Sequence, residues 1–72
     1  MIYRRLRNLR EDHDLTQIQI SKILNISQRS YSHFENGTRA LPIDILCQLA
    51  DYYNVSTDYL LERTNIKHPP AK

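Results

Sequence analysis

A single glycine, Gly37, and three prolines punctuate all 72 residues. Sandwiches and barrels need a turn signal roughly every 8 to 12 positions, so a chain with so few turn residues is poorly suited to either. Helices need glycine and proline only near their ends. The chain therefore reads as all-α, and at this length it has room for one domain that buries only about 60% of its unfolded surface. With 40% hydrophobic and 25% charged residues, the composition is that of an ordinary globular protein.

Apolar spacing divides the chain into five helices. In "IYRRLRNLREDH", Ile2, Leu6, Leu9 and His13 share one arc, which predicts helix 1 with that arc inward. Arg4 and Arg7 point away, while Arg10 lies about 40° from Leu6 and borders the core. Thr16 is the expected N-cap of helix 2, "QIQISKIL", with Ile20, Ile23 and Leu24 as its buried edge. Asn25 suits the left-handed stop that follows.

Ser27 is the expected cap of helix 3, which begins at Gln28. Only Asn25 to Ser27 separate the second and third helices, a link short enough for a helix-turn-helix, whose helices meet at roughly 90 to 120°. Helix 3 should stop at "ENG", where Gly37 takes the left-handed conformation. Pro42 then introduces helix 4, "IDILCQLADYY", expected to bury Ile43, Leu46, Leu49, Ala50 and Tyr53. Ser56 caps a short fifth helix, "TDYLLER", with Tyr59 and Leu60 inward. These elements place one domain at 1–64. Residues 65–72, "NIKHPPAK", lack periodicity and read as a frayed tail.

On a helical wheel the aromatic side of helix 3, Tyr31 and Phe34, turns inward. The opposite arc carries Gln28, Arg29, Ser32 and His33 with no acid. These side chains are of the kinds that read base edges: Arg with guanine, Gln with adenine, Ser with either. Charge is distributed in the same sense, since residues 1–42 hold seven Lys or Arg against four Asp or Glu and residues 43–72 hold three against four. A basic half is a weak pointer to a polyanion.

The stretch "LREDHDLTQIQISKILNISQRSYSHFENG", with "LADYYNVSTDYLLERT" after it, resembles the lambda-repressor-like, Cro-type helix-turn-helix family of transcription regulators. The resemblance covers about residues 3 to 64 and implies a compact five-helix DNA-binding domain. It also assigns roles. Gln17 binds a phosphate and braces Gln28; Gln28, Arg29, Ser32 and His33 read bases, with Ser27 at the groove edge; Asn36, Thr38 and Arg39 touch backbone phosphates. Arg10 pairs with Glu35. Three positions depart from the family pattern: Asn25 and Asp14 stand where glycine is usual, and Ser21 replaces a common alanine.

Other chemistries find little footing. His13, His33 and His68 are scattered without the i, i+4 spacing of a helical metal site, so neither metal nor cofactor is expected. Cys47 is the lone cysteine, which excludes an intramolecular disulfide and reads as a small buried hydrophobe. Five short helices offer no sizeable pocket in which a serine nucleophile could work, so no enzyme activity and no small-molecule ligand are expected. No apolar run reaches a membrane span of about 20 residues, and the N-terminus lacks a signal-peptide core. A cytoplasmic protein is therefore expected, without a membrane partner.

The functional expectation is a sequence-specific transcriptional regulator, in first place a repressor that occludes a pseudopalindromic operator as a homodimer, with Tyr59 and Leu61 as candidate dimer contacts. The alternative is a protein-interaction module, antitoxin-like or anti-repressor, built on the same fold.

Overall fold

The structure is a computed structural model that describes residues 3–67. Five helices follow one another without a strand among the described residues: α1 Arg4–Asp12, α2 Gln17–Leu24, α3 Gln28–Asn36, α4 Ile43–Tyr53 and α5 Thr57–Leu60. Their core comprises Leu6, Leu9, Ile20, Leu24, Tyr31, Phe34, Ile45, Leu46, Leu49, Ala50, Tyr53, Val55 and Leu60. Burying each of the larger aliphatic side chains is worth about 1.5–3 kcal/mol. Among the described residues no helix is long and apolar enough to cross a membrane.

Local chemistry sets the helix ends. Thr16 and Gln19 form a reciprocal capping box, the Gln19 amide donating to Thr16 Oγ1 at 3.1 Å and the Thr16 amide to Gln19 Oε1 at 2.8 Å. Together they satisfy two amides that a helix start otherwise leaves unpaired. At the other end Asn25 turns left-handed at φ 58°, and the Ile26 amide reaches back to the Ser21 carbonyl at 3.0 Å. Asparagine takes this conformation at little cost, so the missing glycine does not disturb the turn. Asp14, at the other glycine-like position, is likewise left-handed at φ 55°. Ser27 Oγ accepts the Ser30 amide at 3.1 Å and starts α3, and Gly37 ends it at φ 77°.

Several expectations require correction. Ile23 is 45% exposed; Ser21 takes its place on the buried face, its hydroxyl donating to the Ile18 carbonyl at 2.7 Å. A hydroxyl satisfied inside its own helix can be buried without the usual penalty, so α2 buries Ile20, Ser21 and Leu24 and leaves Ile23 outward. Ile43 is 78% exposed, because α4 buries Ile45 and Leu46 in its first turn and leaves its first two residues outside the core. Cys47 is exposed, being about 100° from Leu46 and off the inward arc.

His13 is also exposed rather than internal; it follows the last residue of α1, its Nδ1 2.9 Å from the Leu9 carbonyl and its ring 4.9 Å from that of Tyr53. Tyr59 is only half-buried. The fifth helix stops at Leu60 because Glu62 turns left-handed at φ 59° and the Arg63 amide closes on the Asp58 carbonyl at 2.9 Å. Ile2, His68 and the rest of the expected tail beyond Lys67 lie outside the described residues. Of the tail that is described, Asn65 accepts from Arg5 at 2.9 Å and the Lys67 carbonyl accepts the Ser56 amide at 3.1 Å.

Candidate nucleic-acid interface

One ion pair fixes how the helix-turn-helix sits on the rest of the domain. The Arg10 guanidinium grips Glu35 with two hydrogen bonds, Nε to Oε2 at 3.0 Å and Nη2 to Oε1 at 2.9 Å, and its Nη1 donates to the Leu15 carbonyl at 2.9 Å. This fork geometry is the strong form of a charge-assisted pair. It joins α1, the loop into α2, and the last turn of α3. The side chains are 14% and 4% exposed, so little solvent screens them. Burial alone would raise the Glu35 carboxyl, but the hydrogen bonds and positive charge of Arg10 outweigh it and hold the group below its ordinary range. The Tyr31 hydroxyl is buried without a well-formed hydrogen bond, as is that of Tyr53. Burial and the neighbouring carboxylate push the Tyr31 phenol far up, so it stays protonated.

The Gln17 amide points at Glu35 Oε1 across 3.5 Å, a contact too long to count as firm. This loose contact with the ion pair is the one the Gln17 side chain makes; no hydrogen bond joins it to Gln28 among the described residues. Both side chains still lie at the starts of the two helices of the motif.

The outward face of α3 carries the expected base-reading set. Gln28, Arg29, Ser32 and His33 line one shallow depression of about 460 Å³ with Asn36 and Thr38. Tyr31 and Phe34 on the opposite side are 0% and 8% exposed, which leaves this face as the only one α3 can offer a partner. Within it, Gln28 and Arg29 are exposed and make no side-chain hydrogen bond to other described residues. The other four are engaged: Asn36 Nδ2 donates to Ser32 Oγ at 3.3 Å, and His33 Nδ1 lies 2.7 Å from Thr38 Oγ1. Ser27 Oγ is occupied by its capping role and by Ser30 Oγ at 3.0 Å. Arg39 is exposed in the loop after α3.

Arg5 was not singled out from the sequence. Its guanidinium donates to the Tyr59 and Thr64 carbonyls at 2.7 and 2.6 Å and lies 4.0 Å from the centroid of the Tyr59 ring. It thereby clamps the segment after α5 to α1 and occupies one face of Tyr59, an expected dimer contact. Leu61, the other, is half-buried and packs against the core. The angular reasoning that placed Arg10 at the core border applies equally to Arg5, which is about 40° from Leu9 on the same wheel.

Among the described residues no cluster of His, Cys, Asp and Glu is arranged to hold a metal ion. Comparison with known proteins places the chain firmly. The helix-turn-helix family profile matches residues 6–60. Over its whole length the chain is 39% identical to the uncharacterized HTH-type transcriptional regulator YobD of Bacillus subtilis, covering 64% of that protein. It is 44% identical over 59 residues to the antitoxin PezA of Streptococcus pneumoniae, which is 78% of this chain and 35% of PezA. It is 36% identical over 63 residues to the HTH-type transcriptional regulator ImmR of Bacillus subtilis, 88% of this chain and half of ImmR. The chain thus spans less than two thirds of each of these relatives. No solved structure gives a significant match. With a capped α2, a three-residue turn and an α3 on which Gln28 and Arg29 stand exposed, the chain belongs to the helix-turn-helix family.

Proposed function

We propose that this domain binds double-stranded DNA in a sequence-specific manner as a transcriptional regulator, and that it acts as a repressor by occluding a promoter. The observation that carries this reading is the acid-free outward face of α3, on which Gln28 and Arg29 stand exposed beside Ser32 and His33. A helix about 10 to 12 Å across fits a major groove about 12 Å wide. Gln28, Arg29, Ser32 and His33 then face base edges with Ser27 at the groove margin. Gln17, Asn36, Thr38 and Arg39 contact phosphates. The role is binding without catalysis, and two copies act together, with Tyr59 and Leu61 near their contact.

The test is substitution of Gln28. Gln28→Ala removes an exposed side chain with no structural partner among the described residues, so folding should be unchanged. On a duplex selected by the wild-type protein, affinity should fall by about 1 to 3 kcal/mol, while affinity for random duplex stays nearly constant. Equal losses on both would reassign Gln28 from reading to positioning. The similarity to a protein named as an antitoxin favours one second reading, a domain that holds a protein partner through the same face. Retention on heparin that random duplex cannot compete away would favour that reading.

A further inference from the structure

A second and larger cleft adjoins the α3 face. It measures about 720 Å³ and lies between α1, the start of α2 and the end of α3, with Arg4, Arg7, Asn8 and the acidic Glu11 contributed by α1 and Gln17 and Asn36 by the other two helices. Asn36 lines both hollows, so the two meet at the end of α3 and together make a track from the outward face of α3 to the outer side of α1. The positions 4, 7 and 8 recur at helical spacing and share one face of α1.

The charges on this track do not cancel. Arg10 at its floor is taken by Glu35. Arg7 meets Glu11 at 3.1 Å, but these side chains are 67% and 55% exposed. An exposed pair of this kind holds weakly, and the order basic then acidic is the less favourable one along a helix. Arg4 has no carboxylate partner among the described residues. Both Arg4 and Arg7 also fall in the first turn of α1, which contains no acid, where positive charge opposes the helix dipole. Arg5 in that turn is explained by its clamp on Tyr59. Arg4 thus has no such partner among the described residues, and Arg7 has only the exposed Glu11.

We propose that Arg4, Arg7 and Asn8 form a second phosphate-binding platform on α1, which holds the duplex backbone flanking the segment that α3 reads. This rests on the DNA-binding reading above. The backbone leaves the groove past Gln17 and Asn36, and the track carries it along α1 toward Arg4, past Glu11, whose charge Arg7 offsets. Each arginine that meets a phosphate releases condensed counterions, so its contribution is electrostatic and independent of sequence.

The test uses a site selected by the wild-type protein from a random duplex pool, prepared in two lengths: one ending at the read segment, one extended by about 10 bp, one helical turn, on each side. Affinities are measured across salt concentration for the wild type, Arg4→Ala, Arg7→Ala and the charge-conserving Arg4→Lys. On the extended duplex each alanine change should reduce the slope of log K against log salt by about 0.9 for each copy bound. That is about threefold less affinity lost between about 50 and 200 mM salt. Arg4→Lys should keep the wild-type slope, the short duplex should show no difference, and base preference should not change. Unfolding midpoints should not fall, since both side chains are exposed.

Wild-type slopes for both alanine variants on the extended duplex would overturn the proposal. So would equal losses on both lengths, which would place the contacts inside the read segment. Failure of the pool to yield any bound duplex would refute the DNA-binding reading itself, at a step before any variant is compared.

Discussion

Glu35→Leu should destabilise the domain by about 3 to 5 kcal/mol, because it leaves the Arg10 guanidinium largely buried without its counter-charge. A chain of this size is expected to have only about 4 to 11 kcal/mol in total, at about 0.05 to 0.15 per residue, so the single change should remove much of its stability. Replacing both partners, Arg10→Met with Glu35→Leu, should be nearly neutral, since two apolar side chains of similar volume need no solvation. Chemical unfolding of the two single variants and the double variant measures the coupling directly. Small additive effects would contradict a pair that organises the fold.

The same pair gives stability a pH dependence of definite sign. Glu35 is held below its ordinary value of 4.5 when folded. Its contribution is thus complete above the ordinary value and is lost as pH falls through the lowered one. The acid side of the unfolding profile should flatten in the double variant.

A larger functional effect is expected from the spacing of the target. One helix reads too few base pairs to find a site among about 10⁶ to 10⁹ competitors when each correct pair is worth only about 1 to 3 kcal/mol. Two copies related by a two-fold axis double the length read. The preferred site should then be a pseudopalindrome with half-site centres about 10 to 10.5 bp apart, or a multiple of that. Inserting five base pairs between the half-sites rotates one of them by about half a turn to the opposite face of the duplex. Cooperative binding should be abolished. Undiminished affinity after the insertion, with one chain per duplex in sedimentation, would leave a single-copy reader.

Helix boundaries were legible wherever a residue type carries a local conformational reason. Thr16, Ser27 and Ser56 are side-chain caps, and Asn25 and Gly37 are left-handed stops; all act within four residues of themselves. Facing was less legible, because it depends on what an element packs against. Ile23 lost the buried face to Ser21, whose hydroxyl finds its acceptor inside α2, and the core takes up α4 only from Ile45 onward. Apolar character alone cannot report either fact. Arg10 and Glu35 were expected as a pair, and the structure brings them together with Gln17 at the margin. The use of Arg5 was missed although its wheel angle matched that of Arg10, because its acceptors are backbone carbonyls more than fifty positions away, which no side-chain pattern announces.

The most direct measurement of the central claim is selection of bound duplexes from a random pool by the wild-type protein. The account predicts enrichment of one consensus in two inverted halves, with bases in each half placed for Gln28 and Arg29 to read. A recovered pool as random as its input, from a protein that folds cooperatively, would contradict it and leave the outward face of α3 as a surface for another protein.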